Sequence, residues 1–325
     1  MTPHHSAQPL LGIALKVIST LAFTGMATLV KIASDRFPVG ELVFFRSGFA
    51  LIPVFVWVGW RDRSARAVVD VFRTERFGSH VVRSLIGVAA MFLGFSALGL
   101  LPIADATAIG YAAPLLTVVF AVLILHEKVY IFRWTAVVVG LGGVLIMIVD
   151  YVEPSAGGHE RSLIGALVAI GAATVGALAS TYTRSLTRYE TAATIVVYFS
   201  ALAALFALVS LPIGWVWPGA AWVMPTPSEA AILVVAGIFG GLGQVFLTQS
   251  YRFGDASTIA PFEYTSMIWV LIVSVFVFGT WPSGTILIGT AIVISAGLFV
   301  IWREHRLGIE RTRSKRAQTP TTPLS

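Results

Sequence analysis

No cysteine occurs anywhere in the 325 residues. Disulfides, thiolate metal sites and cysteine nucleophiles are therefore excluded. Charge is scarce as well. Asp, Glu, Lys and Arg make up 12% of the chain and hydrophobic residues 57%, against about 25% and 45–50% in soluble domains. So little charge cannot cover the surface of a water-soluble chain of this size, which rules out a soluble enzyme, a disordered chain and a nucleic-acid binder. The six histidines, His4, His5, His80, His126, His159 and His305, fall in tails, loops or span ends without a His-Glu-x-x-His pattern. Neither a metal site nor a hydrolytic triad is written in them. What the chain does have is long apolar runs of about 20 residues, enough to cross a bilayer as a helix. They do not alternate as barrel strands would. The composition predicts an all-α polytopic membrane protein.

The apolar runs lie at about 10–30, 40–60, 80–100, 103–125, 132–149, 163–183, 192–213, 229–250, 256–279 and 284–302, ten spans in all. No Lys or Arg precedes the first and no clear cleavage site follows it, which reads as an uncleaved span rather than a signal peptide. With the N-terminus inside, seventeen Lys and Arg fall in the inner loops and C-terminal tail, and three in the outer loops. Arg83 is among the six assigned to the loop between spans 2 and 3. This asymmetry predicts that both termini are cytoplasmic. The division expected is a short N-terminal tail (1–9), a first unit of five spans (10–150), a second (162–302) and a basic tail (303–325), read as disordered and lipid-facing.

The chain also repeats. Asp105-Ala-Thr-Ala-Ile109 opens the fourth span and Asp255-Ala-Ser-Thr-Ile259 the ninth, 150 residues later. Each half holds five spans, an odd number, so the two halves insert with opposite orientation. Inverted repeats of this kind build many secondary transporters, with the substrate site at the repeat interface.

Three stretches carry a resemblance: Glu41-Leu-Val-Phe-Phe-Arg46; Ala97-Leu-Gly-Leu-Leu-Pro-Ile-Ala-Asp-Ala-Thr-Ala through Pro114 to His126-Glu127; and Ala260-Pro-Phe-Glu-Tyr-Thr-Ser-Met-Ile-Trp269 followed by Phe278-Gly-Thr-Trp-Pro282. In their order and spacing the chain resembles the drug/metabolite transporter superfamily, and within it the EamA-type ten-helix carriers, over about 10–302. The resemblance implies two inverted five-helix repeats and a secondary carrier of a small polar metabolite working by alternating access, not an enzyme. The third stretch looks most like the branch with S-adenosylmethionine-type and riboflavin-type uptake carriers; amino-acid exporters share the superfamily, so uptake and export both stay open. The family commonly has a Glu at the end of the ninth span, where Thr280 stands here.

Ionisable groups inside hydrocarbon cost roughly 2.5–3.5 kcal/mol each on insertion scales. Lys16, Arg46 and Glu263 fall within spans. At about 1.5 Å per residue, Lys16 and Glu263 lie at similar depth. Glu263 is expected to bind a cationic substrate group or a coupling proton; a permanent pair with Lys16, or Lys16 snorkelling to the headgroups, is the structural alternative. Arg46 suits a carboxylate or phosphate, or else bonds to helix carbonyls. Tyr111, Tyr264, Gln244, Gln249 and Trp269 offer stacking faces and amides for a planar ligand. Trp57, Trp60, Trp134, Trp281 and Trp302 suit an interfacial belt. Asp105 and Asp255 read as helix caps, Glu127 with Lys128 as a boundary salt bridge, and Pro114 and Pro261 as kinks. The clusters at Gly237–Gly243 and Gly140–Gly143 read as close helix packing. The partners expected are a small-molecule substrate, a coupling proton or counter-substrate and the lipid of an inner membrane, with no nucleic acid, no cofactor and no metal, as a monomer or homodimer.

Overall fold

A computed structural model describes residues 9–62, 69–126, 130–152, 159–186, 189–253 and 259–318. Among these the regular structure is helical. Span 1 is α1 (Pro9–Ala33), span 2 α2 (Val39–Asp62) and span 3 α3 (Phe77–Leu100). Span 4 is split into α4 (Ile103–Gly110) and α5 (Ala112–Leu125), and span 5 is α6 (Ile131–Val152). The second half runs through α7 (His159–Leu186), α8 (Ala192–Leu208), the short α9 (Ile213–Val216) and α10 (Pro227–Phe253). A 3-10 turn over Ala260–Tyr264 then leads into α11 (Thr265–Phe276), and α12 (Gly284–Gln318) ends the described chain. Eight segments are long and apolar enough to cross a membrane, and the shorter α8 and Pro261–Phe276 bring the apolar segments to ten.

The helix starts follow local chemistry. Thr226 precedes α10, Pro227 takes its first position, and Glu229 reaches back to the Thr226 backbone N–H (2.8 Å) and hydroxyl (2.7 Å), a capping box with proline at the first helical position. Thr191 caps α8 by accepting from the Thr194 N–H. Within the spans, hydroxyls are satisfied by their own helix: Thr24, Thr28, Thr107, Thr174 and Thr181 each donate to the carbonyl four residues earlier, at 2.7–2.9 Å.

The packing repeats under exchange of the halves. α1 lies along α10 as α3 lies along α7; α2 meets α10 as α3 meets α8; α1 meets α11 as α7 meets α4 and α5. The contacts α2–α8 and α6–α12 map onto themselves. Two inverted five-helix units joined by a pseudo-twofold axis produce this pattern. One apolar core gathers Leu101, Tyr111, Leu115, Met147, Met267 and Val293; another gathers Val30, Leu42, Phe95, Leu233 and Val270. The outer faces expose Leu21, Val56, Leu85, Leu145, Leu205 and Ile288, as lipid-facing helices do.

Glycine permits the close approaches, as the Gly237–Gly243 and Gly140–Gly143 clusters foretold. A Cβ on Gly237 would meet the Phe45 carbonyl oxygen at 2.9 Å, and one on Gly241 the Ala50 carbonyl oxygen at 2.4 Å, so α2 and α10 touch backbone to backbone. Gly142 is the exception, with open space beside it.

Three expectations are corrected. The seventh span stops at Leu208 rather than 213: the chain turns over residues 209–212, and Pro212 has no N–H for the Leu208 carbonyl. The ninth is a 3-10 turn plus a 12-residue helix, with Pro261 at the start of the turn. The tail after 303 is not disordered as far as Gln318, since α12 continues through it; its Lys, Arg, Glu and Ala residues are good helix formers.

Candidate functional site

The fourth and ninth spans are broken where the sequence places proline. Pro114 sits in the first turn of α5, where it has no N–H for the Gly110 carbonyl and its ring crowds that oxygen; α4 stops at Gly110 and α5 begins at Ala112. Pro261 opens the 3-10 turn that precedes α11. The two breaks meet. Ser266 Oγ donates to the Glu263 carbonyl (2.7 Å), and the Tyr111 hydroxyl reaches Ser266 Oγ at 2.6 Å. The Tyr111 and Tyr264 rings stand edge to face, centroids 5.3 Å apart. The Tyr264 hydroxyl sits in a notch of α12 that exists because residue 297 is glycine; a Cβ there would overlap it.

Lys16 and Glu263 form an ion pair across the two halves. The lysine is 1% exposed, whereas the glutamate side chain is 46% exposed. The cation is therefore fixed in the protein and the carboxylate is reachable. One turn above Lys16, Thr20 accepts from Trp269 Nε1 (3.2 Å) and stands 3.1 Å from the Thr265 hydroxyl. Thr20, Thr265, Ser266 and Trp269 thus complete a polar seam between α1 and α11. Of these only Trp269 stood out in the sequence, because single hydroxyls in apolar helices give no periodic signal. A cavity of about 380 Å³ lies between α1, α3, α4, α5 and α7, lined by Ala27, Met91, Thr107, Gly110 and Ala173 among others; none of the seam residues lines it.

Arg46 and Gln244 do not join this group. Arg46 is buried on α2, its Nη1 3.8 Å from Met91 Sδ and its Nε against Gly240 of α10. It makes none of the expected bonds to helix carbonyls. Gln244 lines a crevice with Val54, Trp57 and Ala193 between α2, α8 and α10.

The two ends of the bundle are tied. On the side of the α1–α2 turn, Lys31 donates to the Leu101 carbonyl (2.9 Å), Arg36 pairs with Glu229, and buried Glu41 accepts the Val223 N–H (2.9 Å). On the opposite side, Thr74 donates to Glu190 (2.5 Å), Tyr198 donates to the Phe72 carbonyl (2.7 Å), and His80 stacks on Tyr198. Asp105 is not a cap: Pro102 holds the cap position of α4, and Asp105 accepts from the Tyr151 hydroxyl of α6. Thr280 closes a turn with Ser274 after Gly279, whose φ is +62°. Trp60, Trp134, Trp281 and Trp302 are exposed, and Trp57 packs in a core. Asp255, Glu127 and Lys128 lie outside the described residues.

Comparison with known proteins fits this architecture. The model of the EamA-like transporter family matches residues 10–149 and again 163–302. The chain belongs to the EamA-like transporter family. It is a multi-pass membrane transporter of small metabolites. The S-adenosylmethionine uptake transporter of Rickettsia prowazekii is 27% identical over 91% of this chain and 94% of its own. A pseudopaline exporter of Pseudomonas aeruginosa is 29% identical over 79% of this chain and 84% of its own. A solved crystal structure, 21% identical, shares the fold with a TM-score of 0.59 over 91% of this chain and 98% of its own.

Proposed function

We propose that this EamA-family chain takes up a small cationic or zwitterionic metabolite of the S-adenosylmethionine type across the inner membrane. The two five-helix halves rock around the broken spans, and Glu263 exchanges its Lys16 partner for the solute's cationic group. The observation that carries this reading is the lopsided ion pair: a buried ammonium held against a carboxylate open to solute. A solute that takes the carboxylate frees the α1–α11 seam to slide, and Tyr111 and Tyr264 stack on its planar part. A proton taken by Glu263 releases the solute and its departure restores the pair with Lys16, or a counter-substrate displaces the solute. Both termini are cytoplasmic by the charge asymmetry, the chain performs transport rather than catalysis, and both halves of the path lie within one chain, so a monomer is complete. The name of the Rickettsia relative supports uptake; that of the Pseudomonas relative supports the second reading, an exporter of the same build.

The test is uptake by purified protein in proteoliposomes, with labelled S-adenosylmethionine, riboflavin and amino acids, each with and without a proton gradient. Saturable uptake of a cationic solute that Glu263→Gln abolishes is the expected result. Full uptake by Glu263→Gln would overturn the reading.

A further inference from the structure

Two arginines lie inside the first half with no carboxylate among the described residues against them. Arg46 of α2 is 5% exposed, and its Nε has no hydrogen-bond partner. Its one polar contact is the weak acceptor Met91 Sδ. Arg83 of α3 donates through Nε to Thr183 (3.0 Å), but its buried Nη1 has no partner. Both guanidiniums stand by the same ring of α8: the Cζ atoms lie 6.0 Å (Arg46) and 3.8 Å (Arg83) from the Phe199 centroid. Their carbons are therefore no more than about 10 Å apart. Both also face one stretch of α3, Arg83 at Gly87 and Arg46 at Met91.

The residue that follows each arginine in its helix is a buried serine, Ser47 and Ser84, whose hydroxyl has no hydrogen-bond partner among the described residues. The threonines cited above all bond their own helix carbonyls, so these two hydroxyls are out of pattern. Two unneutralised cations in apolar helices oppose each other and cost roughly 2.5–3.5 kcal/mol each. The Phe199 ring offers both a cation–π face but no charge, so it neutralises neither. Buried donors left open in this way have room in their hydrogen bonding for an acceptor from outside the chain.

We propose that Arg46 and Arg83 form an anion subsite that takes the carboxylate or phosphate of the transported solute. Each guanidinium donates at roughly 2.8 Å to its own oxygen of the anion, which sets the two Cζ atoms roughly 8 Å apart, inside the bound above. Gly240 makes room for the Arg46 head, since a Cβ there would stand 3.1 Å from Nε. The same glycine faces Met26 of α1, ten residues from Lys16 and so roughly 15 Å along the helix. The anion station is therefore separate from Glu263. The inference rests on the carrier reading above only in naming the anion as part of the solute.

The experiment measures the apparent melting temperature of the protein in phosphatidylcholine nanodiscs. Inorganic phosphate and acetate are titrated at constant ionic strength against chloride. The expected result is a saturable rise of about 2–4 °C that Arg46→Met and Arg83→Met each abolish. Both variants melt no lower than wild type in chloride alone, since each removes an unneutralised charge. Glu263→Gln keeps the full anion response, so a failed cation site and a failed anion site are told apart. No response of the wild type beyond chloride would overturn the subsite. So would a lower melting temperature of both Met variants in chloride alone, the mark of a structural pair. In discs containing phosphatidylglycerol, a rise that removes any further effect of phosphate would assign the anion to lipid and overturn the solute assignment.

Discussion

Gly142 and Gly143 are neighbours on α6, yet their replacement by alanine is predicted to move stability in opposite directions. A Cβ on Gly143 would stand 2.9 Å from the Gly289 carbonyl oxygen and 3.0 Å from Ile292 Cγ2, both on α12. The reciprocal Cβ on Gly289 would stand 2.5 Å from the Gly143 carbonyl oxygen. Backbone faces backbone, so no side chain can swing away and the helices must separate. Overpacking of this kind costs about 1–3 kcal/mol, reduced by the helix preference of Ala over Gly, about 1 kcal/mol. Gly142 has nothing within reach of its Cβ, so Gly142→Ala collects the preference alone. Gly143→Ala should lower the apparent melting temperature in nanodiscs by about 2–4 °C, and Gly142→Ala should raise it by about 2 °C. Equal shifts of one sign would refute the claim that α6 and α12 pack through Gly143 and Gly289.

Three further outcomes are expected. Pro114→Ala restores the N–H that the Gly110 carbonyl lacks; it should join α4 to α5, raise the melting temperature and slow uptake several-fold, whereas unchanged uptake would separate the break from transport. Tyr111→Phe removes one hydroxyl contact at 2.6 Å from Ser266 and should cost about 1 kcal/mol, read in the same melting assay, with weaker uptake. The chain has no cysteine, so single cysteines report topology directly: in intact cells an impermeant maleimide should label Asp35→Cys and spare Glu75→Cys, and the reverse would place the termini outside.

The ten apolar segments and the inverted repeat were legible because bilayer thickness sets run length and an odd span number sets orientation. Pro114 and Pro261 marked the breaks, since proline removes a donor wherever it stands. Lys16 and Glu263 were found by a depth argument that needs only helical rise. Arg83 was missed for an instructive reason. It lies near the start of an apolar run, so it was assigned to a basic inner loop, whereas α3 begins six residues earlier at Phe77 and carries it inward. Ser47, Ser84 and Ser266 were silent because a lone hydroxyl in a membrane helix usually bonds its own backbone. Gln244 looked like a ligand group by residue type alone; helix rotation, which one amide cannot report, turned it toward α2 and α8. Asp105 resembled a cap by position, but its partner, Tyr151, comes from another helix.

In the proposed cycle Lys16 and the solute compete for one carboxylate. Equilibrium binding of labelled S-adenosylmethionine to the protein in nanodiscs, compared among wild type, Lys16→Met and Glu263→Gln, tests it most directly. Removing the competitor should tighten binding about tenfold, equivalent to about 1.4 kcal/mol, while Glu263→Gln should weaken it at least as much. Binding by Lys16→Met no tighter than by wild type, or binding untouched by Glu263→Gln, would contradict the account.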